Sequence, residues 1–387
     1  MSEGFSRLPP GGVPIRAGAC WRALSARDPA RRLQAGLEAL LGGARVDLYA
    51  SGREALRVAL AALARRSGRD EVLVPGYTCF SIPAAAVAAG LRVRLVDLDS
   101  RGRVDAKALA ELPLERAAAL VVANLFGVPE PTAPLRGCLA HAGVALVDDA
   151  AQSLGARSAE GAVGSRGDVG LLSFGRGKPL SALGGGALAW GEAPPGPEAK
   201  PPRAPRRLGA LARALAYDLA LAPPIFRLLA DVPSLGIGQT VFDPAFPRGP
   251  LDGASLCLAA ALLPALAAGN AERARRAEEL GRRLTSETAF EPILAAPGQS
   301  AVYPRLGVLA PDRETRDRAL ELLRALGATR MYPDALCGLA PLRSHLTGSA
   351  EVPGARRFAE RVLTLPTHAG LAGARAERVV RALAALP

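Results

Sequence analysis

Hydrophobic and polar positions change rhythm several times along the chain. Residues 1–35 form an arm with Pro9, Pro10 and Pro14 that runs into a helix, and from Arg32 to Leu41 the apolar positions recur at helical spacing. After Gly42-Gly43, short β-like runs alternate with Ala-rich helical stretches as far as Trp190. That alternation predicts an α/β domain with a mainly parallel central sheet. The predicted strands are Glu71–Val74, Val93–Asp97, Ala118–Ala123, Val144–Val147, Val169–Phe174 and Gly186–Trp190. The predicted helices are Glu54–Arg65, Pro83–Ala89 and Pro134–Ala142, with Pro134 suited to a first turn.

Beyond Trp190 the pattern loosens. Residues 191–206 are rich in Pro, Gly and Ala and read as a loop. The apolar segment Leu208–Leu229 follows, interrupted by Pro223-Pro224. It reads as a helical hairpin packed on the main body, or as a surface at 208–240 for a membrane or a partner. Residues 251–290 read as one long helical region with Pro264 as its kink. The remainder alternates strands and helices. The expected division is therefore 1–250 for an arm and a large domain, carrying an apolar helical insertion at about 196–250. Residues 251–387 supply a linking helix and a smaller C-terminal α/β domain.

Composition sharpens this picture in three places. Of 387 residues, 49% are apolar, enough for a large core. The net charge of +12 is carried almost wholly by arginine, since Lys107, Lys178 and Lys200 are the only lysines. The arginines are interleaved with acids and few aromatics accompany them, so nucleic acid is not an expected partner. The five cysteines, Cys20, Cys79, Cys138, Cys257 and Cys337, are dispersed and form no CxxC. They read as reduced thiols of a cytoplasmic protein, with no metal site expected. The N-terminus carries no basic-then-apolar leader pattern, and no uninterrupted apolar stretch reaches a spanning length of about 18 residues.

Four motifs carry candidate chemistry. Ala50-Ser51-Gly52-Arg53-Glu54 joins a strand end to a helix start, where free backbone N–H groups and the helix dipole suit a phosphate. Ser51 suits a helix N-cap equally well. Val74-Pro75-Gly76-Tyr77-Thr78-Cys79-Phe80 follows a strand at the carboxyl edge of the sheet, where ligands bind in open α/β folds. Its aromatics could stack on a planar ring or belong to the core. Val147-Asp148-Asp149-Ala150-Ala151-Gln152 ends an apolar strand in two acids, one of which could ion-pair a protonated ring nitrogen or cap a helix. Ser173-Phe174-Gly175-Arg176-Gly177-Lys178 precedes Gly184-Gly185-Gly186. A lysine in a Gly-rich turn is conspicuous in so lysine-poor a chain. Unlike arginine, lysine can form a Schiff base and shed its proton near neutral pH.

In this order the motifs resemble the DegT/DnrJ/EryC1/StrS aminotransferase family. The resemblance is dense over residues 45–190 and resumes through Tyr332-Pro333, Pro353-Gly354-Ala355 and Leu363–His368. It implies a fold-type-I transferase that uses pyridoxal 5'-phosphate (PLP). It also implies a small-molecule amino donor, glutamate, a keto-sugar or related carbonyl acceptor, and a homodimer with a shared active site. Carried over, Lys178 is the Schiff-base lysine and proton shuttle, Asp149 pairs with the ring nitrogen, and Gln152 lies near the ring hydroxyl. Ser51, Gly52, Arg53 and Ser173 belong to the phosphate pocket. Where the family places a ring-stacking aromatic, this chain has Cys79, flanked by Tyr77 and Phe80. The family's Asn-x-Arg type motif from the partner subunit has no counterpart in Gly238–Asp243. A PLP-dependent lyase or acyltransferase, or a non-catalytic regulatory protein on the same fold, are the alternatives.

Overall fold

The computed structural model describes residues 7–12, 15, 17–25, 27–191, 200–230, 232 and 240–387. The segment Gly238-Gln239 and the loop at 192–199 therefore lie outside the described residues. Two helices open the chain, α1 (Ala17–Ser25) and α2 (Pro29–Leu40). Helix α2 starts three residues before the apolar periodicity suggests, because Asp28 caps it and Pro29 occupies its first turn. The alternating region then follows as β1 (Arg45–Tyr49), α3 (Gly52–Ser67), β2 (Glu71–Pro75), α4 (Ser81–Ala88) and β3 (Arg92–Val96). It continues through α5 (Ala106–Ala110), β4 (Ala117–Ala123), α6 (Ala133–Ala140) and β5 (Ala145–Asp149). A small hairpin, β6 (Arg157–Ser158) and β7 (Gly161–Ala162), precedes β8 (Val169–Ser173) and β9 (Gly186–Trp190).

Seven of these strands form one sheet in the order β1-β9-β8-β5-β4-β2-β3. All run parallel except β9, which is antiparallel to both of its neighbours. Strand β4, Ala-Ala-Ala-Leu-Val-Val-Ala, is buried at every position, as expected of a central strand covered on both faces. The carboxyl ends of β4, β5 and β8 come together in mid-sheet, with Asp149 in register with both Ala123 and Leu171.

The apolar segment after the loop is two helices, α7 (Arg207–Leu221) and α8 (Pro223–Ala230), broken at Pro223. Helix α7 packs on α1 and on α9 (Gly253–Leu262), using the small buried residues Ala210 and Ala214. Its outward face leaves Leu208, Leu215 and Leu219 exposed, as is Leu228 on α8. The hairpin thus packs on the body along one face only. A 3-10 turn at Pro264 kinks the long helical region as expected and leads into α10 (Leu266–Glu287). Gly253–Glu287 is long and apolar enough to cross a membrane by length and composition, but its apolar half, α9, is a core helix packed on α1, α2 and α7. The C-terminal part contains a three-stranded antiparallel sheet of β10 (Glu291–Pro292), β11 (Arg305–Leu309) and β12 (Val362–Pro366). Around it lie α11 (Arg313–Leu323), α12 (Pro353–Arg361) and α13 (Ala374–Ala384). All five cysteines are free thiols.

Candidate active site

Every motif except the aromatic pair meets in one cavity of about 240 Å³ at the carboxyl edge of the sheet. One end of it is built for an anion. Ser51 caps α3, its hydroxyl accepting from Glu54 N–H at 3.1 Å, so the cap reading of that motif holds. The same turn also forms the cavity wall through Ser51, Gly52 and Arg53. Helix α3 sits unusually close to the sheet. A Cβ on Gly186 would stand 2.5 Å from Gly52 N, and one on Gly52 would stand 3.0 Å from Ser173 Cβ. Glycine at both positions lets the helix N-terminus reach the end of β8, where Ser173 joins the wall. The Arg53 guanidinium lies 5.2 Å from the centre of the Phe246 ring, a cation–π contact that holds it in place.

The same cavity also carries a carboxylate and an amine. Successive residues of a strand point to opposite faces, so Asp148 and Asp149 part company at the end of β5. Asp148 turns away into a buried ion pair with Arg166 at 2.8 Å. Asp149 turns to the cavity, where its Oδ1 accepts from Ala151 N–H at 2.8 Å. Burial pushes its carboxyl up to about 6, against the lowering effects of that N–H and of Lys178, and Asp148 adds a raising effect. Lys178 is half-buried and lines the same cavity, on a turn in which its N–H bonds Gly175 O and Gly177 takes a left-handed φ of 72°. Gln152 lines the same cavity, and the Phe126 N–H donates to its Oε1 at 3.1 Å.

The structure places two of the expected site residues elsewhere. Tyr77 and Phe80 are buried but are not among the cavity-lining residues. The Tyr77 hydroxyl donates to Arg330 O at 2.9 Å, and both rings pack against Tyr332 from the C-terminal part of the chain. A phenol at full burial needs a hydrogen-bond partner, and Arg330 lies on that side. Thr78 and Cys79 of the same loop line the cavity instead. Thr78, Asn124 and Gly175 also line it and were not singled out from the sequence. Asn124 sits just past the end of β4, and the rule that ligands bind at carboxyl strand ends could have found it.

These residues fit PLP. Helix N-terminus, Arg53 and Ser173 suit its phosphate, and a buried carboxylate short of donors suits a protonated ring nitrogen. Lys178 suits its aldehyde. The Thr78 hydroxyl, fully buried and without a protein partner, lies in the same wall. Among the described residues no cluster of three or more metal-ligating side chains occurs.

Comparison with known proteins agrees. The sequence model of the DegT/DnrJ/EryC1/StrS aminotransferase family matches residues 24–192 and 253–384, leaving out the apolar insertion. UDP-N-acetyl-3-dehydro-α-D-glucosamine 3-aminotransferase of Acidithiobacillus ferrooxidans is 34% identical over 159 residues, 41% of this chain and 43% of that protein. The chain thus spans less than half the length of the curated relatives it matches. Among solved structures, the aminotransferase TlmJ of Streptoalloteichus hindustanus shares the fold with a TM-score of 0.75 over 98% of both chains at 21% identity. The E. coli GDP-4-keto-6-deoxy-D-mannose-3-dehydratase does so with a TM-score of 0.74 over 98% of this chain and 100% of that one, at 15% identity. The fold-type-I architecture is therefore established, and the match across both parts of the fold shows that this chain belongs to the DegT/DnrJ/EryC1/StrS aminotransferase family.

Proposed function

We propose that the protein is a PLP-dependent aminotransferase that moves an amino group from an amino acid donor, glutamate, to a keto-sugar or related carbonyl compound, in polysaccharide or glycoconjugate biosynthesis. One observation carries this reading: Lys178 and the buried Asp149 line one cavity together with the N-terminus of α3. A dehydratase shares the fold, so the architecture alone does not select transamination. Lysine 178 is what favours it.

Bound PLP supplies an aldehyde that condenses with amines and a ring that delocalises charge from the adjacent carbon. The chain's own residues do the rest. Lys178 Nζ would hold the cofactor through its aldehyde and, when free, would be the group placed to take up and return a proton as general base and acid. Asp149 would hold a proton on the ring nitrogen, and that cation would relieve the buried carboxylate in turn. Ser51, Gly52, Arg53 and Ser173 would hold the phosphate, and Thr78, Cys79 and Gln152 line the same cavity.

The test is an absorbance spectrum of the purified protein with PLP, before and after glutamate, beside Lys178→Ala. The expected result is a visible band that glutamate bleaches and that Lys178→Ala lacks. A folded wild-type protein with no Lys178-dependent band would overturn the proposal in favour of a regulatory binding protein. A band indifferent to glutamate would favour another PLP reaction, such as a lyase or an acyltransferase.

The same proposal makes the active species a cytoplasmic homodimer with a shared site, and a fully active monomer on sizing would refute that part. The exposed leucines of α7 and α8, with exposed Lys200, Arg203 and Arg206 leading into them, support contact with an anionic membrane surface. Phosphatidylglycerol vesicles should co-sediment the wild-type protein and release it on Leu215→Glu/Leu219→Glu. Failure of the wild type to bind would remove the membrane from the proposal.

A further inference from the structure

Gln152 is held on two sides, and the second hold comes from far away in the chain. Its Oε1 accepts from Phe126 N–H at 3.1 Å. A backbone N–H can only donate, so this bond fixes which end of the amide is oxygen. The amide nitrogen then donates to the Tyr332 hydroxyl at 2.9 Å. With Oε1 committed and one N–H spent, Gln152 keeps one N–H, and its side chain lines the cavity. That N–H is its remaining donor toward a ligand there, while Oε1 is held toward Phe126.

Tyr332 is held just as firmly. It is buried and is not among the cavity-lining residues. The residue before it, Met331, has a φ of 70°, the left-handed region that a side chain normally avoids. Such strain persists only where surrounding contacts over-determine it, and here they are plain. The Tyr332 ring lies 5.5 Å from Tyr77 and is stacked 6.4 Å from Phe80. The Tyr77 hydroxyl donates to Arg330 O, and Leu336 N–H donates to Gly76 O at 2.7 Å. Segment 330–336 of the C-terminal domain is thereby stitched to the loop that presents Thr78 and Cys79. Burial, chiefly, raises the Tyr332 hydroxyl well above its ordinary range, with Cys79, Tyr77 and Asp149 adding to the effect. It therefore stays neutral and able to accept from Gln152.

We propose that Tyr332 is a positioning residue through which the C-terminal domain orients the Gln152 amide as a hydrogen-bond donor to the oxygen of the bound ring. This rests on the reading of the cavity as a PLP site. A donor at the ring oxygen draws its negative charge away from the neighbouring nitrogen that carries the proton. Loosening that donor leaves the nitrogen more basic. The pH at which the visible band changes should then move upward.

The experiment compares wild type, Tyr332→Phe, Gln152→Leu and the double variant, each loaded with PLP. The readouts are the pH midpoint of the visible band and the cofactor dissociation constant, with thermal melting as the check on folding. Tyr332→Phe keeps the aromatic packing and should raise the midpoint by about half a unit and weaken binding about fivefold, the usual worth of one hydrogen bond. In the Gln152→Leu background the same change should have no further effect, because Tyr332 acts through Gln152. An unchanged midpoint in Tyr332→Phe overturns the inference, and so does an equal shift in the presence and absence of Gln152. If Gln152→Leu fails to fold, the midpoint of Tyr332→Phe alone decides. A wild-type protein with no visible band would instead refute the PLP reading itself.

Discussion

The two faces of β5 end in the same residue type and treat it in opposite ways. On the far face Asp148 is saturated. Its two oxygens accept from Arg166 Nη2 at 2.8 Å and Nε at 3.0 Å, from Asn124 at 2.9 Å, and from Gly164 N–H at 2.7 Å. Arg166 is matched in turn by Asn124 Oδ1 at 2.7 Å and Glu130 O at 2.8 Å. On the cavity face Asp149, also buried, has the Ala151 N–H and the field of Lys178, and its carboxyl rises to about 6. A fully satisfied buried charge is a structural fixture, whereas an under-satisfied one beside a cavity is poised for a ligand that completes it. The contrast turns two adjacent aspartates into an internal control.

The largest expected effect lies on the saturated face. Asp148→Ala strands the Arg166 charge at 1% exposure, and removing one member of a buried pair costs about 3–5 kcal/mol. Denaturant unfolding of the cofactor-free protein should show that loss. Replacing both residues, Asp148→Leu with Arg166→Met, should recover most of it, since no charge is then left unpaired. The folded fraction of either variant should still bind cofactor through the untouched cavity face. A loss below about 1 kcal/mol would mean that water reaches Arg166 and that the two faces differ less than their geometry implies.

The difference between the faces was only half legible in the sequence. Most strands were, because strands buried on both sides read as short apolar runs, and the antiparallel β9 was placed to the residue, whereas β1 was legible only as a strand end before Ser51. The helix after Ser51 was legible from its cap and its periodicity, although it begins at Gly52 and runs two residues further, to Ser67. The hairpin β6–β7 and the five-residue α5 are too short to leave a periodic trace. Within the site, local motifs fixed the lysine turn, the α3 turn and the pair of acids. Alternation along a strand sends two neighbours to opposite faces, but the pattern alone does not say which one meets the cavity. The aromatics of the second motif were illegible for another reason. Their fate is decided by Arg330 and Tyr332, more than 250 residues away in the chain. No local pattern reports such a contact, and Tyr332 entered the sequence reading only as a faint family mark.

The sharper and smaller test is on the cavity face. The Asp149 carboxyl is raised in the fold from 3.8 to about 6, so between those values the folded state binds more protons than the unfolded chain. Stability contributed at this residue must then fall as pH rises through that window and stay low above it. Linkage puts the penalty in the cofactor-free protein on the order of 3 kcal/mol at pH 8 and at roughly half of that at pH 5. Asp149→Asn cannot ionise and should remove it. Melting of the two cofactor-free proteins should therefore show the variant gaining on wild type from pH 5 to pH 8. Adding PLP should shrink the gap, because a ring cation relieves the wild-type carboxylate and has nothing to pair with in the variant. Transamination by Asp149→Asn should fall sharply even so. A variant less stable than wild type at pH 8 would sink the argument, for it would mean that Asp149, like Asp148, is already satisfied within the fold.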